Sequence, residues 1–379
     1  MINVNKPFLP PLNEYFTLLK GIWENNWLTN NGPLVRKLEL DLKDYLKIHQ
    51  LLYVNNGTFA LQIAIKALEL KNEVITTPFS YVATTSSIVW EGASPVFVDI
   101  DPGSLNIDPS KIEKAITKKT TGILATHVYG NPCDVRSIHL IAKKYNLKVI
   151  YDAAHAFGTK LEGKSIFDYG DIATTSFHST KLFHTIEGGA VICKDLNLFK
   201  KMSYMRNFGQ ETPEEFSCPG INGKNSEFHA AMGLLNLQYV DRILAARRHS
   251  SMYYDKRLIN IDATKISILP GTAYNYSYYP IIFDSENALL KSVEALNKNS
   301  VYPRRYFKPS LSELSYIKRQ RVPISEDFSR RVLCLPLYYG ITDEEIDLIS
   351  QVLLEAQSNL KPSAKISLSV DQKTVPLAS

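Results

Sequence analysis

Residues 51–70 read LLYVNNGTFALQIAIKALEL, and the order of apolar and polar side chains in this stretch indicates the fold class. The apolar run at 51–54 predicts a buried strand, and Asn55-Asn56-Gly57-Thr58 predicts the turn that ends it. From Phe59 onward, apolar residues recur at helical spacing. The stretch is therefore interpreted as a strand, a turn and a helix, which is the repeating unit of an α/β sheet.

The same alternation of strand and helix continues along the chain. Buried strands are predicted at residues 74–78, 95–100, 122–130 and 148–154, and helices at 33–47, 81–91 and 134–146. Strands that alternate with helices favour a mostly parallel sheet with helices on both faces. The predicted fold class is therefore α/β.

The pattern changes after residue 170, which indicates a second domain. Further elements are predicted as strands at 171–177, 189–193 and 276–283 and as helices at 226–260, 286–298 and 342–357. The strand at 276–283 is of the antiparallel type. We predict a large α/β domain over residues 1–245, a smaller α+β domain over 246–360, and a flexible tail over 361–379.

Composition and charge exclude several classes of protein. The chain has 379 residues, 45% of them hydrophobic and 21% charged, which is typical of a globular protein and not of a disordered one. Its net charge of +5 is too small, and its basic residues too scattered, for a nucleic-acid-binding surface. No stretch has the pattern of a signal peptide or a membrane span. The four widely spaced cysteines favour reduced thiols, so we predict a cytoplasmic protein.

Several common catalytic signatures are absent from the sequence. It contains no G-x-x-x-x-G-K-[ST], G-x-G-x-x-G, G-x-S-x-G or H-E-x-x-H motif. Its histidines have no metal-binding spacing, so we predict no metal site.

Chemically useful side chains instead follow the predicted strands. Gly57-Thr58 follows the first strand, Asp152 ends the strand at 148–154, and Ser176 and Lys181 follow the strand at 171–177. Tyr81 begins a helix after another strand. In a parallel sheet these positions meet in the crevice beyond the carboxyl ends of the strands, where ligands bind.

Each of these residues alone also has a purely structural interpretation. Gly57-Thr58 fits an ordinary turn, Asp152 a cap, Lys181 a solvated surface and Tyr81 the core. Together they form a set that pyridoxal phosphate requires. The set comprises a helix N-terminus for the phosphate, an aspartate for the ring nitrogen, a desolvated lysine as nucleophile and an aromatic ring for stacking.

With these residues in place, the chain resembles the DegT/DnrJ/EryC1/StrS family of sugar aminotransferases, from about residue 7 to about residue 355. The most specific motifs are SFHSTKLFHTIEGGAV (176–191) and GINGKNSEFHAAMGLLNL (220–237). Other matching segments are VNNGTFALQIAIKAL (54–68), VITTPFSYVATTSSI (74–88), YDAAHAFG (151–158) and VLCLPLYYG (332–340). The resemblance implies a fold type I pyridoxal-phosphate enzyme, with a large seven-stranded-type α/β domain and a smaller C-terminal α+β domain.

The resemblance implies a role for each matching residue. Lys181 would bind pyridoxal 5′-phosphate covalently and move the proton, and Asp152 would pair with the ring nitrogen. Tyr81 would stack on the ring, and His155 would lie beside its 3-hydroxyl, where many relatives have glutamine. The phosphate would be held by Gly57, Thr58 and Ser176.

The resemblance also implies a homodimer with shared active sites. The segment with Asn222, Lys224 and Asn225 would reach the cofactor phosphate of the neighbouring subunit. Further residues are expected to contact the sugar nucleotide, namely Thr29, Asn30, His184, Arg304, Arg305 and Tyr306. For the arginines, a solvated basic turn remains an equal alternative.

The activity implied is the transfer of the amino group of L-glutamate to a keto-6-deoxy sugar nucleotide, with dTDP-4-keto-6-deoxyglucose as the expected acceptor. Some members of the family have histidine in place of the lysine and act as dehydratases, so Lys181 favours transamination. One alternative is a 3-aminotransferase acting on a dTDP-3-keto-6-deoxyhexose. Another is a regulator or scaffold that keeps the fold without catalysis.

Overall fold

A seven-stranded sheet forms the centre of the computed structural model, which describes residues 1–358. The predicted tail at 361–379 lies outside these residues. The strands of the sheet are β1 (Gln50–Val54), β2 (Glu73–Thr76), β3 (Ser94–Phe97), β4 (Thr120–Thr126), β5 (Lys148–Asp152), β6 (Ile172–Ser176) and β7 (Gly189–Cys193).

The order of strands across the sheet is β1-β7-β6-β5-β4-β2-β3. All neighbouring pairs are parallel except those of β7, which runs antiparallel to both β1 and β6. Because β1 and β6 both run antiparallel to β7, they point in the same direction. The carboxyl ends of β1, β5 and β6 therefore lie at one edge of the sheet. The predicted α/β fold with a mostly parallel sheet is confirmed.

Eleven helices surround the sheets within residues 1–358. They are α1 (Leu12–Asn25), α2 (Pro33–Leu46), α3 (Gly57–Ala67), α4 (Val82–Trp90), α5 (Pro109–Ala115), α6 (Val135–Tyr145), α7 (Leu196–Met205), α8 (Glu227–Arg257), α9 (Glu286–Lys298), α10 (Pro323–Arg331) and α11 (Asp343–Ser358).

Alternate residues of β1 pack into the two layers of the core, as the period of a strand requires. Leu51 and Tyr53 join the layer formed with α2, α6 and α8, whereas Leu52 and Val54 join the layer formed with α3 and α7. All four side chains are buried. This burial on both faces explains why the strand reads as a continuous apolar run.

A second core lies towards the C-terminus. It is built on the antiparallel strands β8 (Ala263–Thr264), β9 (Tyr279–Phe283) and β10 (Val332–Leu335), covered by α9 and α11. Helix α8 crosses residue 245 without a break, and Ile2–Asn3 pairs with Val301–Tyr302. The division at residue 245 therefore falls inside a helix, and the two domains stay a prediction.

Several predicted elements differ from those of the structure. The strand predicted at 122–130 ends at Thr126, and a 3-10 turn follows at Val128–Gly130. The strand predicted at 276–283 begins only at Tyr279. The α-helices and strands without a prediction are α1, α5, α7, α10, β8, β10 and the short strands Ile2–Asn3, Lys160–Leu161, Lys164–Ser165, Gln210–Thr212, Glu215–Phe216, Thr272–Ala273 and Val301–Tyr302. Most of these are short, and tertiary packing decides the structure of short segments more than periodicity does.

Among residues 1–358, every helix is too short or too polar to span a bilayer.

Candidate active site

A cavity of about 750 Å³ opens at the edge of the sheet where β1, β5 and β6 end. Its wall contains every predicted cofactor contact except those assigned to the neighbouring subunit, namely Gly57, Thr58, Tyr81, Asp152, His155, Ser176 and Lys181. The carboxyl ends of parallel strands meet at this edge, so residues distant in sequence converge here.

The N-terminus of α3 forms a narrow cradle in this cavity. Asn56 caps the helix by accepting a hydrogen bond from the Phe59 N–H at 2.8 Å. The first N–H groups of a helix have no partner within it and attract anions. A Cβ added at Gly57 would lie 2.7 Å from the Cβ of Ser176, so only glycine fits at this position. The cradle therefore brings backbone donors and a serine hydroxyl together, as a phosphate group requires.

Asp152 lies deeper in the cavity and is 6% exposed. Its Oδ2 accepts a hydrogen bond from Thr84 Oγ1 at 2.8 Å, and its Oδ1 accepts one from the Ala154 N–H at 3.1 Å. Burial raises the pKa of Asp152, although these hydrogen bonds and the charge of Lys181 oppose the increase. A cation placed beside this carboxylate would be strongly stabilised, which fits a protonated ring nitrogen.

Lys181 also lines the cavity, in the turn between β6 and β7. Its N–H donates to the His178 carbonyl at 2.9 Å, which holds the turn, and its Nζ lies 3.5 Å from Tyr278 Oη. Burial lowers the pKa of Lys181, whereas the nearby Asp152 raises it. A larger fraction of the amine is therefore uncharged than in a solvated lysine, and an uncharged amine is a nucleophile.

His155 packs its ring among aromatic side chains of the cavity wall. The ring stacks on Phe307 with centroids 5.6 Å apart and meets Tyr278 edge-on at 4.9 Å. Burial and the charge of Lys181 hold the pKa of His155 well below its usual range, so the ring is neutral. Because Nδ1 accepts the Tyr129 N–H at 3.3 Å, the ring proton lies on Nε2. His155 can therefore donate one hydrogen bond from Nε2.

The rim of the cavity carries Tyr81, Arg304 and Tyr306. Tyr81 is 59% exposed, so a ligand in the cavity would cover its ring. The guanidinium of Arg304 lies 5.9 Å from the centroid of the Tyr306 ring. The backbone of Arg304 is held by two hydrogen bonds with Cys334 in β10.

Two predicted substrate contacts, His184 and Arg305, lie outside the wall of this cavity. His184 is buried away from the cavity wall, where its Nε2 donates to the Phe8 carbonyl at 2.7 Å and its ring contacts Asn236 of α8. Arg305 also points away from the cavity and forms an ion pair with Glu286 at 2.5 Å. Both residues are close in sequence to residues of the cavity wall, but side chains that are neighbours in sequence can point in different directions.

Thr29, Asn30, Lys224 and Asn225 also lie outside the wall of this cavity. Two of them are in contact, because Thr29 Oγ1 lies 3.4 Å from the Asn225 carbonyl. The Asn225 side chain donates to Tyr53 Oη and to the Glu187 carbonyl, both at 2.9 Å. The Asn225 side chain is therefore held within its own chain.

The cavity also contains residues that the sequence did not single out. Thr84 donates a hydrogen bond to Asp152, and the hydroxyl of Tyr278 lies near the amine of Lys181. The ring of Phe307 stacks on His155, and Glu187 also lines the cavity. Thr84 is one of several small polar residues in a helix, and Tyr278 is one of four tyrosines in YNYSYY (274–279). Nothing in the local sequence distinguishes either residue from its neighbours.

A cavity at the carboxyl ends of a mostly parallel sheet, with a lysine and an aspartate in its wall, is typical of a group-transfer enzyme. The chain belongs to the DegT/DnrJ/EryC1/StrS aminotransferase family, whose sequence profile matches residues 13–354. It is therefore an aminotransferase, and membership implies dependence on pyridoxal phosphate. The resemblance to this family is confirmed.

Three similar proteins refine this assignment. The dTDP-4-amino-4,6-dideoxy-D-glucose transaminase of Shigella dysenteriae is 42% identical over 361 residues, which cover 93% of this chain and 98% of that protein. The enzyme of the same name from Escherichia coli is 39% identical over 368 residues, with the same coverage. The crystal structure of DesI in the presence of its TDP-sugar product has a TM-score of 0.90 and 29% identity, and the match covers 94% of this chain and 93% of DesI.

Proposed function

We propose that the chain transfers the amino group of L-glutamate to dTDP-4-keto-6-deoxyglucose and forms dTDP-4-amino-4,6-dideoxyglucose. The observation that carries this proposal is the pairing of a nucleophilic lysine and a buried aspartate in one cavity. The cavity volume, about 750 Å³, lies in the range that accommodates large organic ligands. The names of the two transaminase relatives support the choice of acceptor.

The residues of the site fit pyridoxal 5′-phosphate. Gly57, Thr58 and Ser176 would hold its phosphate in the cradle, and Asp152 would pair with its ring nitrogen. Tyr81 would cover the ring, and His155 would donate a hydrogen bond from Nε2 beside the 3-oxygen. When bound, the cofactor supplies an electron-accepting ring that takes up the electron pair of a breaking Cα–H bond.

Lys181 moves the proton in both halves of the proposed reaction. Its Nζ takes a proton from Cα of glutamate in the first half, in which 2-oxoglutarate leaves. In the second half it returns a proton to the sugar carbon that gains the amino group. A lysine whose pKa is lowered by burial releases a proton more readily than a solvated lysine. Arg304 and Tyr306 at the rim are placed to contact the nucleotide diphosphate.

The proposed enzyme acts in the cytoplasm, and its four free cysteines are compatible with a reducing compartment.

The proposed enzyme acts as a homodimer in which Lys224, with Asn222 and Asn225, reaches the cofactor phosphate of the neighbouring subunit. Burial and the charge of Arg206 lower the pKa of Lys224, so an anion beside its ammonium would be stabilising. Exposed apolar side chains next to this segment, at Phe208, Phe216 and Ile221, suit a subunit interface.

The shared active site predicts complementation between two inactive variants. Lys181→Ala and Lys224→Ala would each lose activity as homodimers. A mixed dimer has one site in which both lysines are intact, and random pairing makes about half of the dimers mixed, so mixing and refolding the two variants should restore about a quarter of the wild-type activity. Steady-state rates before and after mixing measure this effect. Mixing Lys181→Ala with Asp152→Asn is the matched control, because both substitutions affect the cavity of their own chain and both sites of a mixed dimer are therefore defective.

In that control, a mixed dimer carries one defect in each chain's own cavity, and therefore no activity returns. Recovery in the control as large as in the test would contradict the assignment of Lys224 to the neighbouring site, as would the absence of recovery in the test.

The position of amination is tested with two keto sugars. The protein is first converted to its amino form with excess glutamate, and the glutamate is then removed. Addition of dTDP-4-keto-6-deoxyglucose should restore the visible absorption of the lysine-bound cofactor, whereas the 3-keto isomer should not. The opposite pattern would establish the 3-aminotransferase. A protein that reacts with neither sugar and does not respond to glutamate would fit the non-catalytic alternative.

A further inference from the structure

Tyr278 lies where three parts of the active site meet. Its hydroxyl oxygen is 3.5 Å from Lys181 Nζ, and its ring meets His155 edge-on with centroids 4.9 Å apart. A second edge-on contact, at 5.6 Å, joins the ring to Tyr306 at the rim. The residue belongs to the segment that leads into β9, so it connects the C-terminal sheet with the cavity of the large sheet.

The segment before β9 is fastened to the loop that carries His155. Asn275 Nδ2 donates to the His155 carbonyl at 2.8 Å and to the Phe157 carbonyl at 2.9 Å. Ser277 Oγ donates to the same His155 carbonyl at 2.7 Å. These bonds flank Tyr278 on its N-terminal side and fix the position of its backbone relative to the cavity.

A buried arginine holds the same segment from the other side. Arg247 of α8 is 4% exposed, and its Nη1 donates to the Ser277 carbonyl at 3.1 Å. Arg247 and Tyr278 also line a common small cavity of about 10 Å³, whose volume fits about one water molecule. Within residues 1–358, no carboxylate lies within ion-pair distance of Arg247. The carbonyl before Tyr278 is therefore the protein group that this cation binds.

We propose that Tyr278 is a positioning residue that acts through Lys181. Its hydroxyl oxygen accepts a hydrogen bond from Nζ and keeps the amine aimed into the cavity while the amine carries a proton. A lysine side chain has about 2 kcal/mol of rotamer entropy and therefore does not hold one direction unaided. This inference rests on the proposed role of Lys181 as the proton carrier.

The hydrogen bond has a consequence for the acidity of Lys181. An acceptor stabilises an ammonium group more than a neutral amine, so its removal lowers the pKa of the lysine further. The other groups that influence this amine stay in place when the hydroxyl is removed, namely Asp152, Tyr81 and Tyr306, with His155 and Arg247 close by.

The first test uses the protein without its cofactor. Tyr278→Phe keeps the ring contacts and removes only the hydroxyl. The extent of acylation of Lys181 by acetic anhydride is measured by peptide mass spectrometry as a function of pH. The midpoint in the variant should shift to lower pH by about 0.5–1 unit, which corresponds to the loss of one hydrogen bond. Tyr274→Phe is the matched control, because that hydroxyl donates to the Tyr129 carbonyl at 2.9 Å and does not contact Lys181.

The second test follows the glutamate half-reaction of the holoenzyme. In Tyr278→Phe, kcat should fall about 3- to 10-fold with KM changed by less than about 2-fold, because the amine is less often aimed at Cα. The isotope effect with α-deuterated glutamate should increase, since proton transfer becomes more rate-limiting. A purely structural role for Tyr278 would leave this isotope effect unchanged.

An unchanged acylation midpoint would overturn the inference, whatever happens to the rate. Equal shifts in Tyr278→Phe and Tyr274→Phe would also overturn it, because the effect would then belong to the segment and not to the hydroxyl. Melting temperatures of both variants verify that they are folded. Failure of the proposed function is separate, because it would appear as the absence of amino transfer from glutamate to the keto sugar in the wild-type protein.

Discussion

Lys181→Ala should lower the rate of amino transfer by at least about 10³-fold, the largest effect expected of any substitution in this chain. The change removes the nucleophile and the group that carries the proton. The surrounding structure should remain intact, because the backbone bond from Lys181 to His178 does not need the side chain. The measurements are the rate with glutamate and keto sugar and the visible absorption of the protein-bound cofactor.

Two comparisons sharpen this prediction. Lys118 is exposed in the turn before β4, and Lys118→Ala should retain full activity. Addition of a small primary amine such as methylamine should restore part of the rate to Lys181→Ala, because the amine can enter a cavity of about 750 Å³ and accept the proton in place of Nζ. A variant that keeps the wild-type rate and absorption would exclude Lys181 from the chemistry.

Asp152→Asn should have the second-largest effect. The substitution conserves the shape of the side chain and removes the charge that would face the ring nitrogen of the cofactor. Removing one partner of a buried ion pair costs about 3–5 kcal/mol, which corresponds to a rate lower by about 10²–10⁴-fold. The rate of the glutamate half-reaction and the affinity for pyridoxal 5′-phosphate measure this loss.

The stability of the cofactor-free protein distinguishes this effect from a folding defect. Burial raises the pKa of Asp152 above its value in the unfolded chain, so the folded state binds the proton more tightly than the unfolded state does. The contribution of Asp152 to stability is therefore present below the unfolded pKa and is lost as the pH rises through the folded pKa.

At neutral pH, Asp152→Asn should therefore be at least as stable as the wild type without cofactor. The increase in melting temperature that the cofactor causes should be largely lost in the variant. Thr84→Val provides a milder comparison, because it removes one hydrogen bond to Asp152 and leaves the charge. A variant with wild-type cofactor stabilisation would contradict the assignment of Asp152 to the ring nitrogen.

The location of the site could be predicted because short apolar runs end immediately before its polar residues. Leu51–Val54 precedes Gly57, and Val149–Tyr151 precedes Asp152, so each residue was placed at the end of a strand. Parallel pairing then brings the ends together. The motif around Lys181 follows a third predicted strand, at 171–177, and therefore places Lys181 at the same edge of the sheet. In the structure all of these residues line one cavity.

Other features depend on tertiary contacts that a local pattern does not contain. The direction of β7 is set by pairing with β1 and β6, and an apolar run reads the same in either direction. Tyr278 lies 97 residues beyond Lys181 in the sequence, and Phe307 lies further along, yet both line the cavity. His184 follows Lys181 by three residues, yet its ring contacts Asn236 of α8 and the Phe8 carbonyl instead of the cavity.

The most direct test of the central claim is the fate of the amino nitrogen. The purified protein is incubated with ¹⁵N-labelled L-glutamate and dTDP-4-keto-6-deoxyglucose, and the sugar nucleotide is analysed by mass spectrometry and NMR. We expect the label on carbon 4 of the sugar in the wild type and none in Lys181→Ala. An unlabelled sugar in the wild type, with both substrates intact and the cofactor bound, would contradict the account.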